Sequence, residues 1–297
     1  MSLAHVQSAR QGDRRSLLVV CAITAAILCV ELVGGVLTGS LALLADAGHV
    51  LTDLLALLVA LVALVLASKP PTLRKTWGYH RLEILSAFIN GVLLLGISCV
   101  ILWHAWGRLA QPRDIHGGGM TAIAIVGLLA NLLAVWVLSR ASGSLNMRGA
   151  RWHVLGDTIS SIGVVLAGVL ITLTGVSQID VVVSVGIALI IVYGAVRLVW
   201  EASDVLLESA PGGLDCRAIQ AAIRTVAGVV EIRDLHIWSI TTGLPALTGH
   251  VIIPAARAGE GDALLAQIKA LLRERFGIAH STIQIQTELF EDSGDVH

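Results

Sequence analysis

Six apolar runs, each long enough to cross a lipid bilayer, follow one another at about residues 16–38, 42–67, 82–106, 119–139, 148–174 and 179–200. A spanning helix needs about 20 mostly apolar residues. Hydrophobic residues make up 56% of the 297-residue chain, charged residues 14%, and the mean hydropathy is +0.83. A water-soluble domain is nearer half apolar and a quarter charged. These runs therefore predict an integral membrane protein, an all-α bundle of six transmembrane helices.

Charge sets the orientation. With the N-terminus inside, one side of the membrane carries Arg10, Arg14, Arg15, Lys69, Arg74, Lys75, Arg81, Arg140, Arg148 and Arg151, and the other carries Arg108 and Arg113. The excess of cations marks the cytoplasmic face, so both termini are expected in the cytoplasm. Arg14 and Arg15 before the first run resemble the start of a signal peptide, but cleavage there would leave five spans and reverse this bias. The net charge of −1 offers no basic footprint for nucleic acid. Four scattered cysteines (Cys21, Cys29, Cys99, Cys216) form no CxxC pair and read as small buried hydrophobes.

Within the runs, ionisable residues carry the functional signal, because each is costly in hydrocarbon unless paired or part of an ion path. HVLTD, His49 to Asp53, heads the second run, and HVLGD, His153 to Asp157, heads the fifth. Residues four apart share one face of a helix. Each phrase therefore presents one imidazole and one carboxylate in the same direction. Two such helices face to face offer two nitrogens and two oxygens, a set suited to Zn²⁺. Two aspartates also neutralise the dication. Either phrase alone fits a hydrogen-bonded core residue equally well; the repetition favours a shared site.

Glu31, Asn90 and Asn131 lie in the first, third and fourth runs, and Asp46 joins His49 and Asp53 at i, i+3, i+7 as one stripe. Gly34, Gly35, Gly39, Gly163 and Gly168 permit close helix contact or bending. Three runs precede residue 110 and three follow, with an HVL phrase in the middle run of each half. That arrangement fits an inverted repeat, or equally a convergence on one ligand spacing.

After residue 200 charges return and apolar runs shorten. "DCRAIQAAIRTVAG" reads as an amphipathic helix ending at Gly228, "VVEIRDLHIWSI" and "ALTGHVII" as strands around "TTGLP", "EGDALLAQIKALLRERFG" as a second helix and "STIQIQTEL" as a third strand. The expected organisation is a tail at 1–15, the membrane domain at 16–207, an α+β domain of order αββαβ at 208–290 and a second tail at 291–297.

The stretches "ELVGGVLTGSLALLADAGHVLTD", "WGYHRLEILSAFINGVLL", "WHVLGDTISSIGVV" and "DLHIWSITTGLPALTGHVII" together resemble the cation diffusion facilitators, most strongly the bacterial zinc-exporting branch. The resemblance implies a proton-coupled antiporter of the inner cell membrane, a homodimer joined through its C-terminal domain and membrane helices, that moves Zn²⁺ out of the cytoplasm. It carries His49, Asp53, His153 and Asp157 over as the transport-site ligands. Broader-selectivity members have Asp at the first of these positions, so His49 fits the zinc-preferring pattern. Protons enter as counter-ion, since a protonated imidazole cannot bind metal. Export of Cd²⁺, Co²⁺ or Ni²⁺ is the alternative, because a His₂Asp₂ set separates these from Zn²⁺ poorly. A membrane-anchored zinc sensor would need no intramembrane quartet. No HExxH or GxSxG occurs, so neither a zinc protease nor a serine hydrolase is indicated.

The tail resembles the family's metallochaperone-like domain, which implies a regulatory zinc site at His236, His250 and His280. Two positions depart from that pattern: Arg233 stands where a further His is common, and Gln286 where an acid is. Surface histidines without a metal role account for the same three residues. The loop at 68–81 retains only His80, and the loop at 139–151 has no histidine. Asp204 and Glu208 are candidates to pair with Arg81 or Lys75.

Overall fold

The computed structural model describes residues 3–67, 72–111, 113–140 and 145–287, with the side chains of 3–17, 56–67, 110 and 145–153 outside the description. The basic side chains of Arg10, Arg14, Arg15, Lys69, Arg148 and Arg151, the imidazole of His153, and the tail at 291–297 fall outside the described residues.

Six long helices form from the six apolar runs: α1 (Leu3–Thr38), α2 (Leu41–Ala67), α3 (Arg81–Ala110), α4 (Gly117–Ser139), α5 (Leu145–Thr174) and α6 (Gln178–Leu206). Five of them are long and apolar enough to span a membrane over their described residues. α1 starts well before the expected boundary, because no proline interrupts the stretch ahead of Arg14 and its Ala, Gln and Arg favour a helix. At 1.5 Å per residue, helices of 29–30 residues such as α3, α5 and α6 reach about 45 Å, enough to pass through the headgroup layers as well.

The bundle buries apolar residues and exposes apolar residues as well. On α4 the buried stripe is Gly117, Met120, Ala124, Gly127, Asn131, Ala134 and Leu138, at three- and four-residue steps. Leucines such as Leu129 and Leu133 point outward. Lipid is as apolar as leucine, so many large side chains face outward, and small residues that let backbones approach share the contacts with buried ones such as Leu43, Met120 and Val164. Gly168 on α5 is one such contact: a Cβ there would stand 2.5 Å from Thr121 Oγ1 and 3.0 Å from its backbone nitrogen on α4. Trp103 and Trp106 near the C-terminal end of α3, and Trp136 and Trp200 near the C-terminal ends of α4 and α6, are exposed. Amphipathic rings favour interfacial levels.

The chain divides into two compact units, one of Met1–Leu61 with Ile89–Leu198, the other of Val62–Phe88 with Val199–His297. The second unit holds α7 (Cys216–Arg224), β1 (Glu231–Thr241), β2 (Leu244–Ile253), α8 (Gly261–Phe276) and β3 (His280–Thr287), in the expected αββαβ order. A short 3₁₀ turn at Ala255–Glu260 adds to that order. β1 and β2 pair antiparallel, β2 and β3 parallel, with β2 central. The parallel pair needs a long crossover, and α8 supplies it. Asp215 caps α7 by accepting from the amides of Arg217 and Ala218 at 2.9 and 3.3 Å. α7 stops at Arg224, one turn before the expected Gly228. Ile219 and Ile223 of α7 and Leu264, Ile268 and Leu272 of α8 cover one face of the sheet. Their four-residue spacing is the apolar stripe read from the sequence.

Within this second unit the α2–α3 loop is tied down. Arg81 Nη2 meets Glu208 Oε1 at 2.6 Å, the pair anticipated from charge. Thr241 Oγ1 donates to Glu83 at 2.9 Å, and Trp77 stacks edge-on against His280 with centroids 4.5 Å apart.

Candidate metal centre

One fixed point explains how α2 presents its polar stripe. The first N–H groups of a helix lack intrahelical partners, and here they are met from another helix. Asp180, fully buried at the start of α6, accepts from Leu41 N at 2.7 Å, from Ala42 N at 3.1 Å and from the Ser40 hydroxyl at 2.6 Å. Ser40 Oγ in turn accepts from Leu43 N at 3.1 Å. Arg108 at the end of α3 closes the knot, donating to Gly39 O at 2.6 Å and to Asp180 at 3.3 Å. A carboxylate at a helix N-terminus also complements the helix dipole.

One turn further along α2 a second brace sets its rotation. Asp46 accepts from Ser160 at 2.8 Å and from Ser161 at 3.4 Å, both on α5, and Asn131 of α4 donates to Ser161 at 3.0 Å. Asp46 therefore ties the two helices that carry the repeated phrases.

Held in this way, the stripe meets its counterpart. His49 Nε2 lies 3.6 Å from Asp53 Oδ2 on its own helix and 3.4 Å from Asp157 Oδ1 on α5. One ligand atom from each of the three falls within 4.8 Å of the other two, the one such group of three among the described residues. Ligand atoms held tetrahedrally at about 2.0–2.1 Å from a zinc ion stand about 3.3–3.4 Å from one another. The two histidine–aspartate separations are close to that spacing, and the aspartate–aspartate edge lies within 4.8 Å. The three residues are half-buried, and the set offers one nitrogen and two carboxylates to a divalent ion. His153, four residues before Asp157 on the same helix, falls in the stretch whose side chains are not described.

The other three expected metal residues stay apart. His236 Nε2 sits 2.7 Å from Asp234 Oδ1, His250 Nδ1 lies 3.3 Å from Gln286 Nε2, and His280 is the residue stacked on Trp77. They occupy three different strands. The register pairs Arg233 with His250 and then jumps to His236 opposite Thr248, a bulge at which Asp234 has φ of 49°. The bulge turns Asp234 toward His236, a feature the strand pattern does not announce. Arg233 bonds Glu231 at 2.8 Å.

Asp180, Arg108, Ser160 and Ser161 are the site-supporting residues that sequence reasoning passed over. An aspartate leading a transmembrane helix, with an arginine closing another on the same side, was the available signal for the first two.

Residues 17–207 match the family described as the cation efflux transmembrane domain, and residues 211–288 match the cytoplasmic domain of cation efflux proteins. The chain is 42% identical over 291 residues to the zinc transporter ZitB of Escherichia coli, covering 96% of this chain and 92% of that protein. It is 38% identical over 287 residues to the metal cation efflux system protein CzcD of Cupriavidus metallidurans, with 96% and 90% covered. It is 39% identical over 280 residues to a cadmium, cobalt and zinc/H(+)-K(+) antiporter of Bacillus velezensis, with 93% and 89% covered. A solved structure of the metal-bound C-terminal domain of the CzcD transporter matches 25% of this chain and 99% of its own at 34% identity, with a TM-score of 0.23.

Proposed function

Since the chain belongs to the cation efflux family, we propose that it exports Zn²⁺ from the cytoplasm in exchange for protons. The metal is held in transit by His49, Asp53, His153 and Asp157. The observation that carries this reading is the convergence of His49, Asp53 and Asp157 from two helices, with edges of 3.4 and 3.6 Å. Two carboxylates balance the charge of a dication, and imidazole nitrogen suits zinc. A site without thiolate also releases its ion readily. Proton and metal compete because a ligand imidazole must be neutral to bind.

The protein works as a homodimer in the cell membrane with both termini in the cytoplasm. The dimer rests on the cytoplasmic-domain match over residues 211–288, and the orientation on the distribution of Arg and Lys. A zinc-regulated cytoplasmic domain using His236, His250 and His280 would require these residues to leave their present partners.

The test is transport of Zn²⁺, Cd²⁺ and Co²⁺, one at a time, in reconstituted vesicles under an imposed pH gradient. Wild type is expected to move zinc faster when the gradient opposes it, and Asp157→Ala to fall to the protein-free background. Native flux from Asp157→Ala would sink the four-ligand site. A second reading, export of cadmium and cobalt as well, is favoured by the likeness to the Bacillus velezensis antiporter. It requires wild type to carry those ions at rates comparable with zinc. If zinc alone is carried, His49→Asp should widen the range.

A further inference from the structure

We propose that Glu31, on α1, is a proton-binding residue of the exchange, separate from the metal ligands and linked to them only through the field between them. The assignment rests on the exchange reading given above. Glu31 is 1% exposed, and its Oε2 has no hydrogen-bond partner among the described residues. Its other oxygen presses into α4 at Gly127, where a Cβ would stand 2.5 Å from Oε1. A Cβ at Gly127 would therefore displace the carboxyl from its present place.

The charged groups facing Glu31 are Asp46 on α2 and Asp157 on α5, and α4 contributes no titratable side chain between Gly117 and Ser139. Asp46 differs from Glu31 in one respect: both its oxygens receive hydroxyls from α5. Those bonds stabilise a carboxylate. Glu31 has no such donors, and an unpaired buried carboxylate costs far more than a neutral acid. The burial of this carboxyl thus favours its neutral form. Glu31 and Asp46 both lie outside the group whose ligand atoms converge within 4.8 Å, and Glu31 sits on a helix that supplies no ligand.

A dication entering the His49–Asp53–Asp157 cluster offsets the two aspartate charges and so removes the repulsion that Asp157 exerts on an ionised Glu31. The Glu31 O–H bond then breaks heterolytically. The electron pair stays on the carboxylate, and the proton passes to water. When the metal leaves on the outer side, the repulsion returns and a proton from that side re-forms the bond. Metal and proton thus exclude each other without sharing a ligand atom. By linkage, each weakens the other by the same factor. Buried intramembrane acids on ion paths serve as proton relays for this reason.

The experiment uses the full-length protein, with Zn²⁺ as the probe. Proton release on zinc binding is followed with a pH indicator in detergent, and zinc flux is followed in vesicles with and without a pH gradient. Wild type, Glu31→Gln and Glu31→Asp are compared. The expected result has Glu31→Gln binding zinc more weakly than wild type at high pH, with an affinity that depends less on pH, and still carrying zinc down its own gradient. It releases fewer protons per zinc, and its flux no longer responds to pH. Glu31→Asp regains part of the response. A Glu31→Gln variant with the wild-type proton release and gradient response overturns the assignment alone. So does a folded Glu31→Gln, eluting as wild type, that binds no zinc, because Glu31 would then belong to the metal site. A wild type indifferent to the gradient overturns the exchange reading and this assignment with it.

Discussion

At the scale of single residues, the proposed centre depends on side chains outside the proposed ligand set. Asp180 satisfies two backbone donors, a hydroxyl and Arg108. Asp180→Asn keeps the shape but turns one acceptor oxygen into an amide donor facing donors, and strips the charge opposite Arg108. Removing one member of a buried ion pair costs about 3–5 kcal/mol. Asp180→Asn should therefore lower the thermal unfolding temperature in detergent and reduce zinc flux. An unchanged unfolding temperature would show that the knot at the α2 terminus is dispensable. His49 and Asp53 were legible because a helix places residues four apart on one face. Asp180 was not, because its partners lie about 140 residues away in sequence.

At the scale of elements, the two units obey different packing rules and should answer mutation differently. In the second unit Ile268 of α8 is fully buried against the sheet. Ile268→Ala leaves a cavity at an expected cost of about 2–5 kcal/mol. Hydrogen exchange should show the protection of β1–β3 falling, with the α4–α5 helices unaffected. In the bundle the sensitive positions are the small ones. Gly168→Val would drive a side chain into the Thr121 backbone and separate α4 from α5. Overpacking of this kind costs about 1–3 kcal/mol, and it would also disturb the Asn131–Ser161–Asp46 brace. Zinc binding should weaken. Gly163→Val, where a Cβ meets nothing within 4 Å, is the control and should bind zinc as wild type does.

At the scale of the whole molecule, the boundary proposed at residue 208 is testable by cutting there. The isoleucine- and leucine-rich core of α7, α8 and the sheet is complete without the bundle. A fragment of residues 208–290 should therefore fold with dispersed amide resonances and cooperative melting. A random-coil spectrum would show that this core depends on the rest of the chain. The Arg81–Glu208 pair is 42% and 57% exposed, and exposed pairs contribute about 0–1 kcal/mol. Arg81→Ala is accordingly expected to change stability by less than about 1 kcal/mol. If it stops transport while stability holds, the pair matters for motion rather than for folding.

The sequence by itself determined what the solvent enforces. Lipid admits long apolar helices and small-residue contacts, so six runs predicted α1–α6. Water enforces amphipathic periods, so the αββαβ order was readable from strand alternation and helix stripes. Likewise, the repeated His–Asp spacing is local geometry and needed no fold. Tertiary structure alone decided which face of α2 meets α5, through Asp180 at the helix end and Asp46 against Ser160 and Ser161. It also decided that His236, His250 and His280 sit with separate partners, because the bulge at Asp234 and the strand register govern direction in ways composition does not encode. Long-range hydrogen bonds between residues scattered along the chain are satisfied only once the helices are packed, and those bonds set where the charges converge.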